Sequence, residues 1–212
     1  MIVKLIIQNA TMLLDEIEYK LRQLKKLDKR KTIFGASSHR YAYGKQITER
    51  IITKFEKKYE VSLPPDFVNF LKRFGDGCCG PGYGLMLLNN GIYDIPTNKK
   101  ESEIISLKKP FRLETYWNLE DFPKNDEDLW EDEYFDIKWT DGMLRICHLG
   151  CGIYCNLVVN GKEKGNIWID DRGSDGGIYP NNHYTKTKNY DFLSWYDQWL
   201  NASIEEIMTN RK

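Results

Sequence analysis

Three cysteines and a histidine lie close together late in the chain, and thiolates and imidazoles are ligands that zinc prefers. They are Cys147, His148, Cys151 and Cys155. A structural zinc site usually adds a second, distant pair, but the remaining cysteines, Cys78 and Cys79, are adjacent, and adjacent side chains rarely bind one ion together. In an extended strand Cys155 shares a face with Leu157, so we interpret the cysteines as small apolar core residues. The sequence predicts no metal and no cofactor, and a metal-binding enzyme built on the cysteines is kept as an alternative.

Nucleophilic catalysis needs a nucleophile, a base and an orienting group. The three histidines are His39, His148 and His183, and none follows a recognisable nucleophile motif. The glycine-rich stretch 75–84 lacks the Gly-Lys-Ser/Thr ending of a phosphate loop and leads from a predicted helix into a predicted strand, which is the reverse order. The carboxylates at 170, 171 and 175 do not match the spacing of a helical calcium loop. We therefore predict no catalytic residues and a protein that is not an enzyme.

Charge and hydropathy narrow the class of partner. The 212 residues have a formal net charge of zero, which argues against a general nucleic-acid or membrane binder. Residues 1–58 hold 14 basic and 6 acidic residues, whereas the remainder holds 17 and 25. No apolar run approaches the roughly 20 residues of a membrane span, and Gln8 and Asn9 interrupt the apolar start. Five cysteines without a secretion signal suggest reduced thiols, so we expect a cytoplasmic protein.

The periodicity of apolar residues predicts helices first, strands in the middle and a helix last, the order of an α+β domain. We expect helices over 11–29 and 48–60, a third from Pro65, and a last one from Asp191, with residues 1–9 as a short strand or lead-in. Strands are expected at 85–88 and 143–147. An antiparallel hairpin should turn tightly at Asn160-Gly161 and pair 153–159 with 166–170. Residues 1–35 form a helical extension of a domain over 36–212, and the apolar seam of 11–29 docks on that domain or on a second copy.

The segment from Glu120 to Asp136 is the strongest candidate for binding a partner. It holds nine acidic residues and one basic residue, Lys124, with aromatic rings between them. Carboxylates raise the rate of association with a positive surface, and rings anchor the desolvated centre of an interface. A second acidic group follows the central hairpin. The predicted partner-binding residues are Asp126, Glu127, Asp128, Trp130, Glu131, Asp132, Glu133, Tyr134, Asp170, Asp171 and Asp175.

The order of several short motifs resembles the SUKH superfamily, which includes the yeast cell-wall-assembly regulator and many bacterial immunity proteins. The resemblance covers about residues 39–201. Its motifs are Phe55-Glu56, Leu63-Pro64-Pro65-Asp66-Phe67, Phe70-Leu71, Gly75, Gly80-Pro81-Gly82-Tyr83-Gly84-Leu85, Gly150-Cys151-Gly152, Leu157-Val158-Val159-Asn160-Gly161, Gly165, Trp168, Asp170, Phe192, Trp195-Tyr196 and Trp199-Leu200.

This resemblance implies a twisted, mostly antiparallel sheet with helices packed on one side, and a family without a shared catalytic set. It implies that the chain binds and neutralises a cognate toxin domain, often a nuclease, by protein contact and without touching nucleic acid itself. The alternative is an intracellular regulatory or scaffold module, in which residues 1–35 are a docking or dimerising arm.

Overall fold

The computed structural model describes residues 2–93, 106–119, 127–183 and 188–210. Across these ranges, six helices and four strands form an α+β domain, as expected. The helices are α1 (Ile2–Leu27), α2 (Ala36–His39), α3 (Glu49–Tyr59), α4 (Pro65–Phe74), α5 (Glu127–Tyr134) and α6 (Phe192–Thr209). The strands are β1 (Met143–Gly150), β2 (Ile153–Val158), β3 (Ile167–Asp170) and β4 (Ile178–Pro180). In the part of the chain that is described, no helix is long and apolar enough to cross a bilayer.

Helix α4 shows how local sequence sets an element. Pro65 occupies the first helical position, where its missing N–H leaves no bond unmade. Four apolar side chains spaced three or four residues apart are then buried: Phe67, Phe70, Leu71 and Phe74. The helix ends at Gly75, whose φ of 88° lies in a region that favours glycine. The predicted amphipathic helix is confirmed.

Helix α1 begins at Ile2, earlier than expected, and the prediction of a short strand or lead-in over residues 1–9 is wrong. The helical spacing of apolar residues continues back through Ala10 to Ile6, so the β-branched start joins the same helix. The predicted seam is buried in the main core: Leu14, Ile17, Leu21 and Leu24. Lys20 Nζ also contacts Asp197 Oδ1 on α6 at 2.8 Å. The seam therefore docks on this protein's own domain, while the division at residue 35 stays a prediction.

The sheet has the order β1-β2-β3-β4, and every neighbouring pair is antiparallel. The predicted hairpin is confirmed as β2 and β3, but its turn is longer than two residues. Gly165 N donates to Val158 O at 2.8 Å, which places Asn160 and Gly161 inside a wider loop. Gly161 instead bridges to Phe111, whose carbonyl oxygen would lie 2.6 Å from an added Cβ. The backbone of another segment occupies the space beside this glycine.

The predicted strand at 85–88 is also wrong. Only Leu85 forms a bridge, to Cys147 on β1, and a 3-10 turn follows over Leu88–Gly91. The side chain of Asp76 accepts a hydrogen bond from Leu88 N at 2.7 Å. This bond satisfies the backbone N–H of Leu88 with a side chain instead of a neighbouring strand, so the segment turns away from the sheet instead of extending it.

The two faces of the sheet have different covers. Alternate residues of β2 point to opposite sides, as predicted: Cys155 and Leu157 join the helices in the main core, whereas Val158 packs on the other face. On that second face a smaller cluster surrounds the fully buried Trp168. Its cover comes from segments without long helices, at 106–119 and 137–140. The acidic helix α5 ends three residues before the second of these segments.

Candidate partner-binding surface

The rings of α5 point into the protein. Trp130 and Tyr134 lie one helical turn apart and stack with centroids 4.8 Å apart, and Tyr134 stacks further on Trp117 at 5.7 Å. Tyr134 is fully buried, and Trp130 is half-buried with its Nε1 donating to Leu119 O at 3.5 Å. The sequence predicted both rings as anchors for a partner. Because Tyr134 offers no surface, we no longer propose it as a contact residue.

Phe135 is the exposed ring of this region, and the sequence reasoning did not select it. Its side chain is 49% exposed and packs edge-on against Tyr134, with centroids 5.1 Å apart. The guanidinium of Arg172 lies 5.9 Å from the Phe135 centroid. The spacing of the residues could have predicted this exposure, because residues 130 and 134 share one face of a helix and residue 135 lies on another. The residue after the helix therefore carries the accessible ring.

A buried ion pair between Arg172 and Asp170 lies next to the end of α5. Arg172 donates from Nε and Nη2 to the two carboxylate oxygens of Asp170, at 2.7 and 2.8 Å. Its Nη1 donates to Tyr134 O at 2.8 Å, at the end of α5. Burial opposes the charge of Arg172, but the Asp170 carboxylate more than offsets this and raises the pKa of the guanidinium. Asp170 is also buried, so it holds Arg172 in place and is no longer proposed to contact a partner.

The loop after β3 is tied to α5. Gly177 N donates to the hydroxyl oxygen of Tyr134 at 3.1 Å. Burial, with a smaller contribution from the charge of Asp175, raises the pKa of Tyr134 to about 12. Asp175 is exposed at a φ of 59°, and half-buried Asp171 accepts from the Tyr179 hydroxyl at 3.2 Å. The loop that carries Asp171 and Asp175 is therefore held against the end of α5.

We call the accessible part of this region the acidic surface, made of Glu131, Asp132, Phe135, Asp171 and Asp175. Glu131 and Asp132 are exposed. Glu133 is half-buried and already paired with Lys138, at 2.5 Å, so it adds little free charge. Asp126 lies outside the described residues, and so do the side chains of Glu127 and Asp128.

The cysteines do not gather at one point. Cys147 and Cys155 are direct partners across β1 and β2 and are both buried, whereas Cys151 is exposed in the turn between these strands. The neighbouring Cys155 thiol and burial raise the pKa of Cys147 well above its ordinary value. Cys78 and Cys79 are buried beside each other, with their sulfurs 3.7 Å apart. Among the described residues, no three potential ligands lie where they could hold one metal ion.

These features place the chain in a class of α+β domains. In this class, helices cover one face of an antiparallel sheet, and loops with polar residues lie over the opposite face. In a comparison with protein-family models, residues 46–186 match the SMI1 / KNR4 family (SUKH-1). The match spans more than half of the chain, so the chain belongs to this family, and the resemblance read from its motifs is confirmed. Comparisons with curated proteins and with solved structures find no match.

The family assignment bears on function at a coarse level. SUKH domains are known as toxin-immunity-type domains, they are generally non-catalytic, and they point to protein–protein interaction. All of α1 and all of α6 lie outside the matched range of 46–186, although both pack into the same core as α4.

Proposed function

We propose that this protein is an immunity protein, which binds a cognate bacterial toxin domain in the cytoplasm and neutralises it by protein contact. The observation that carries this proposal is the link made by buried Arg172. It joins the end of α5 to the loop after β3, and this link supports our proposal that the carboxylates of the two segments act as one surface around the exposed ring of Phe135. Membership of the SUKH-1 family supports the same reading.

The composition of the acidic surface suits a nuclease toxin. A nuclease site is built to receive phosphate groups, and carboxylates on a protein can occupy the same positive surface. Complementary charge speeds the encounter of two proteins. A large ring at the centre of such a contact supplies most of the apolar anchoring. Phe135, with Glu131, Asp132 and Asp175 in the same surface, has this combination.

A triple variant tests the charge part of the proposal. Replacement of three exposed carboxylates by amides, in E131Q/D132N/D175N, should slow association about tenfold at low salt, because steering by charge is lost. The probe is a carboxy-terminal toxin domain, to be sought among secreted proteins encoded beside this gene. Stopped-flow mixing gives the association rate, and co-expression in cells that carry the toxin domain gives protection.

The matched control is E49Q/E205Q/E206Q, which removes three exposed carboxylates from α3 and α6. This control should associate and protect like the unchanged protein. An equal loss in both triple variants would mean that only net charge matters, and no loss in the first would remove the acidic surface from the proposal.

The alternative function, a regulatory or scaffold module with residues 1–35 as a free arm, gains no support from α1. A docking arm would keep its apolar seam available, whereas Ile17 and Leu24 are fully buried against the domain. The immunity proposal needs no free arm.

A further inference from the structure

A row of rings is built on a different set of elements from those that carry the acidic surface. We call it the ring row: Phe34, Tyr83, His148 and Tyr154. Consecutive centroids are 5.4, 5.7 and 4.8 Å apart, so each ring contacts the next. Phe34 is 57% and Tyr83 48% exposed, and the other two rings are half-buried. Four separated parts of the chain thus build one continuous aromatic surface.

Arg145 ends the ring row. Its guanidinium carbon lies 4.7 Å from the ring centroid of Tyr154 and 4.0 Å from that of Tyr93, so the cation is held between two π faces. Its Nε is buried and, among the described residues, has no hydrogen-bond acceptor. The Tyr93 hydroxyl reaches Asp170 at 3.1 Å, but both oxygens of that carboxylate are already bound by Arg172. No carboxylate in the described part of the chain pairs with Arg145.

A buried donor without an acceptor is unfavourable until something supplies one. The guanidinium presents N–H groups in a planar fork that matches a carboxylate. The rings beside it offer faces and edges for other aromatic or apolar side chains. Residues 59–212 hold 25 acidic against 17 basic residues, which disfavours a polyanion such as nucleic acid but not a single carboxylate.

We propose that the ring row and Arg145 bind an extended segment of a protein partner, in which one carboxylate lies beside aromatic side chains. The carboxylate pairs with Arg145, and the aromatic side chains pack along Tyr83 and Phe34. This site is built from Phe34, the glycine-rich loop, Tyr93, β1 and β2, and the proposal does not rest on the proposed toxin binding.

Selection from a random peptide library tests this site with no partner chosen in advance. The purified full chain is used to select heptapeptides displayed on phage. The enriched heptapeptides should contain Asp or Glu next to Trp, Tyr or Phe. A synthetic heptapeptide of the enriched sequence should shift the Arg145 Nε–H signal in a ¹H–¹⁵N NMR spectrum, and its amide counterpart, with Gln or Asn at the acidic position, should bind at least tenfold more weakly.

Two variants and one competing anion complete the experiment. R145Q should lower the affinity for the heptapeptide at least tenfold, whereas R50Q, which removes an exposed arginine from α3, should leave it unchanged. F34A/Y83A removes two rings that are 57% and 48% exposed, and should weaken binding at least fivefold even if R145Q is unstable. Selection of no heptapeptide that depends on these residues would overturn the proposal. A shift of the Arg145 signal by inorganic phosphate as large as that by the heptapeptide would also overturn it, since the site would then bind free anions.

Discussion

The side chain of Phe135 lies beside the buried Arg172 guanidinium, in a segment rich in carboxylates, and about half of its surface is exposed. A phenylalanine in this position gains free energy when a partner covers it, because apolar area leaves water. The surrounding charges orient the partner, but charge pairs at the exposed rim of the contact contribute little binding free energy. At the scale of single residues, binding energy should therefore be concentrated at this ring.

Replacement of Phe135 by alanine should weaken binding to the toxin domain by at least about tenfold, or about 1.4 kcal/mol, as expected for an anchor residue. The loss should appear mainly as faster dissociation, which surface plasmon resonance measures directly. Y19A is the matched control, since Tyr19 is an exposed ring on α1. Equal affinities for F135A and the unchanged protein would show that the anchor lies elsewhere.

Residue types predicted the acidic character of this region but not which rings are accessible. Trp130 and Tyr134 were chosen because they are large rings among carboxylates. Their spacing of four places them on one helical face, and that face is buried against Leu119 and Trp117. Which face of α5 is buried depends on the segments that cover the second face of the sheet. Those segments have no clear periodicity of apolar residues, so their positions could not be predicted.

Among the elements, α1 owes its position to a buried carboxylate as well as to its apolar seam. Asp28, just after the helix, accepts from Thr32 N at 2.8 Å and from the Tyr41 hydroxyl at 2.6 Å. Burial of Asp28 opposes its charge, but the Tyr41 hydroxyl and the backbone N–H groups of Thr32 and Ile33 outweigh this and lower its pKa. The end of α1 is thus bound to the segment that leads to α3.

The variant D28N should lose about 1–3 kcal/mol of unfolding free energy, because an amide nitrogen cannot accept these bonds and leaves buried donors unpaired. Urea unfolding at pH 7 measures the loss, with K29Q as an exposed control. Since folding lowers the pKa of Asp28, its contribution is complete above the ordinary value of 3.8 and is lost as pH falls through the lower folded pKa. The gap between D28N and the unchanged protein should therefore narrow only below about pH 4; a gap that narrows near pH 6 would point to another group.

Elements with a regular spacing of apolar residues could be predicted from the sequence, whereas elements set by tertiary contacts could not. The stripe from Phe67 to Phe74 predicts α4, and the alternation around Cys155 and Leu157 predicts β2, because burial of one face imposes the period. The segment after Leu85 is equally apolar but turns, since the Asp76 side chain binds Leu88 N. That contact spans twelve residues and cannot be read from local propensity.

At the scale of the whole molecule, the fold combines charges that are far apart in the sequence. Glu131 and Asp175 are 44 positions apart, yet Tyr134 and Arg172 join their segments through hydrogen bonds. The net charge of zero conceals this local concentration. The sequence identified both acidic groups, but the hydrogen bonds of Tyr134 with Arg172 and Gly177, which hold their two segments together, could not be predicted from it.

Amide hydrogen exchange on the complex with the toxin domain tests the central claim most directly, because it maps the contact without any substitution. The free protein is compared with the protein saturated with the toxin domain identified by the search of neighbouring genes. We expect slower exchange at residues 131–136 and 171–177, and unchanged exchange along α1 and α3. Protection confined to other elements, with these two segments unaffected, would contradict the account.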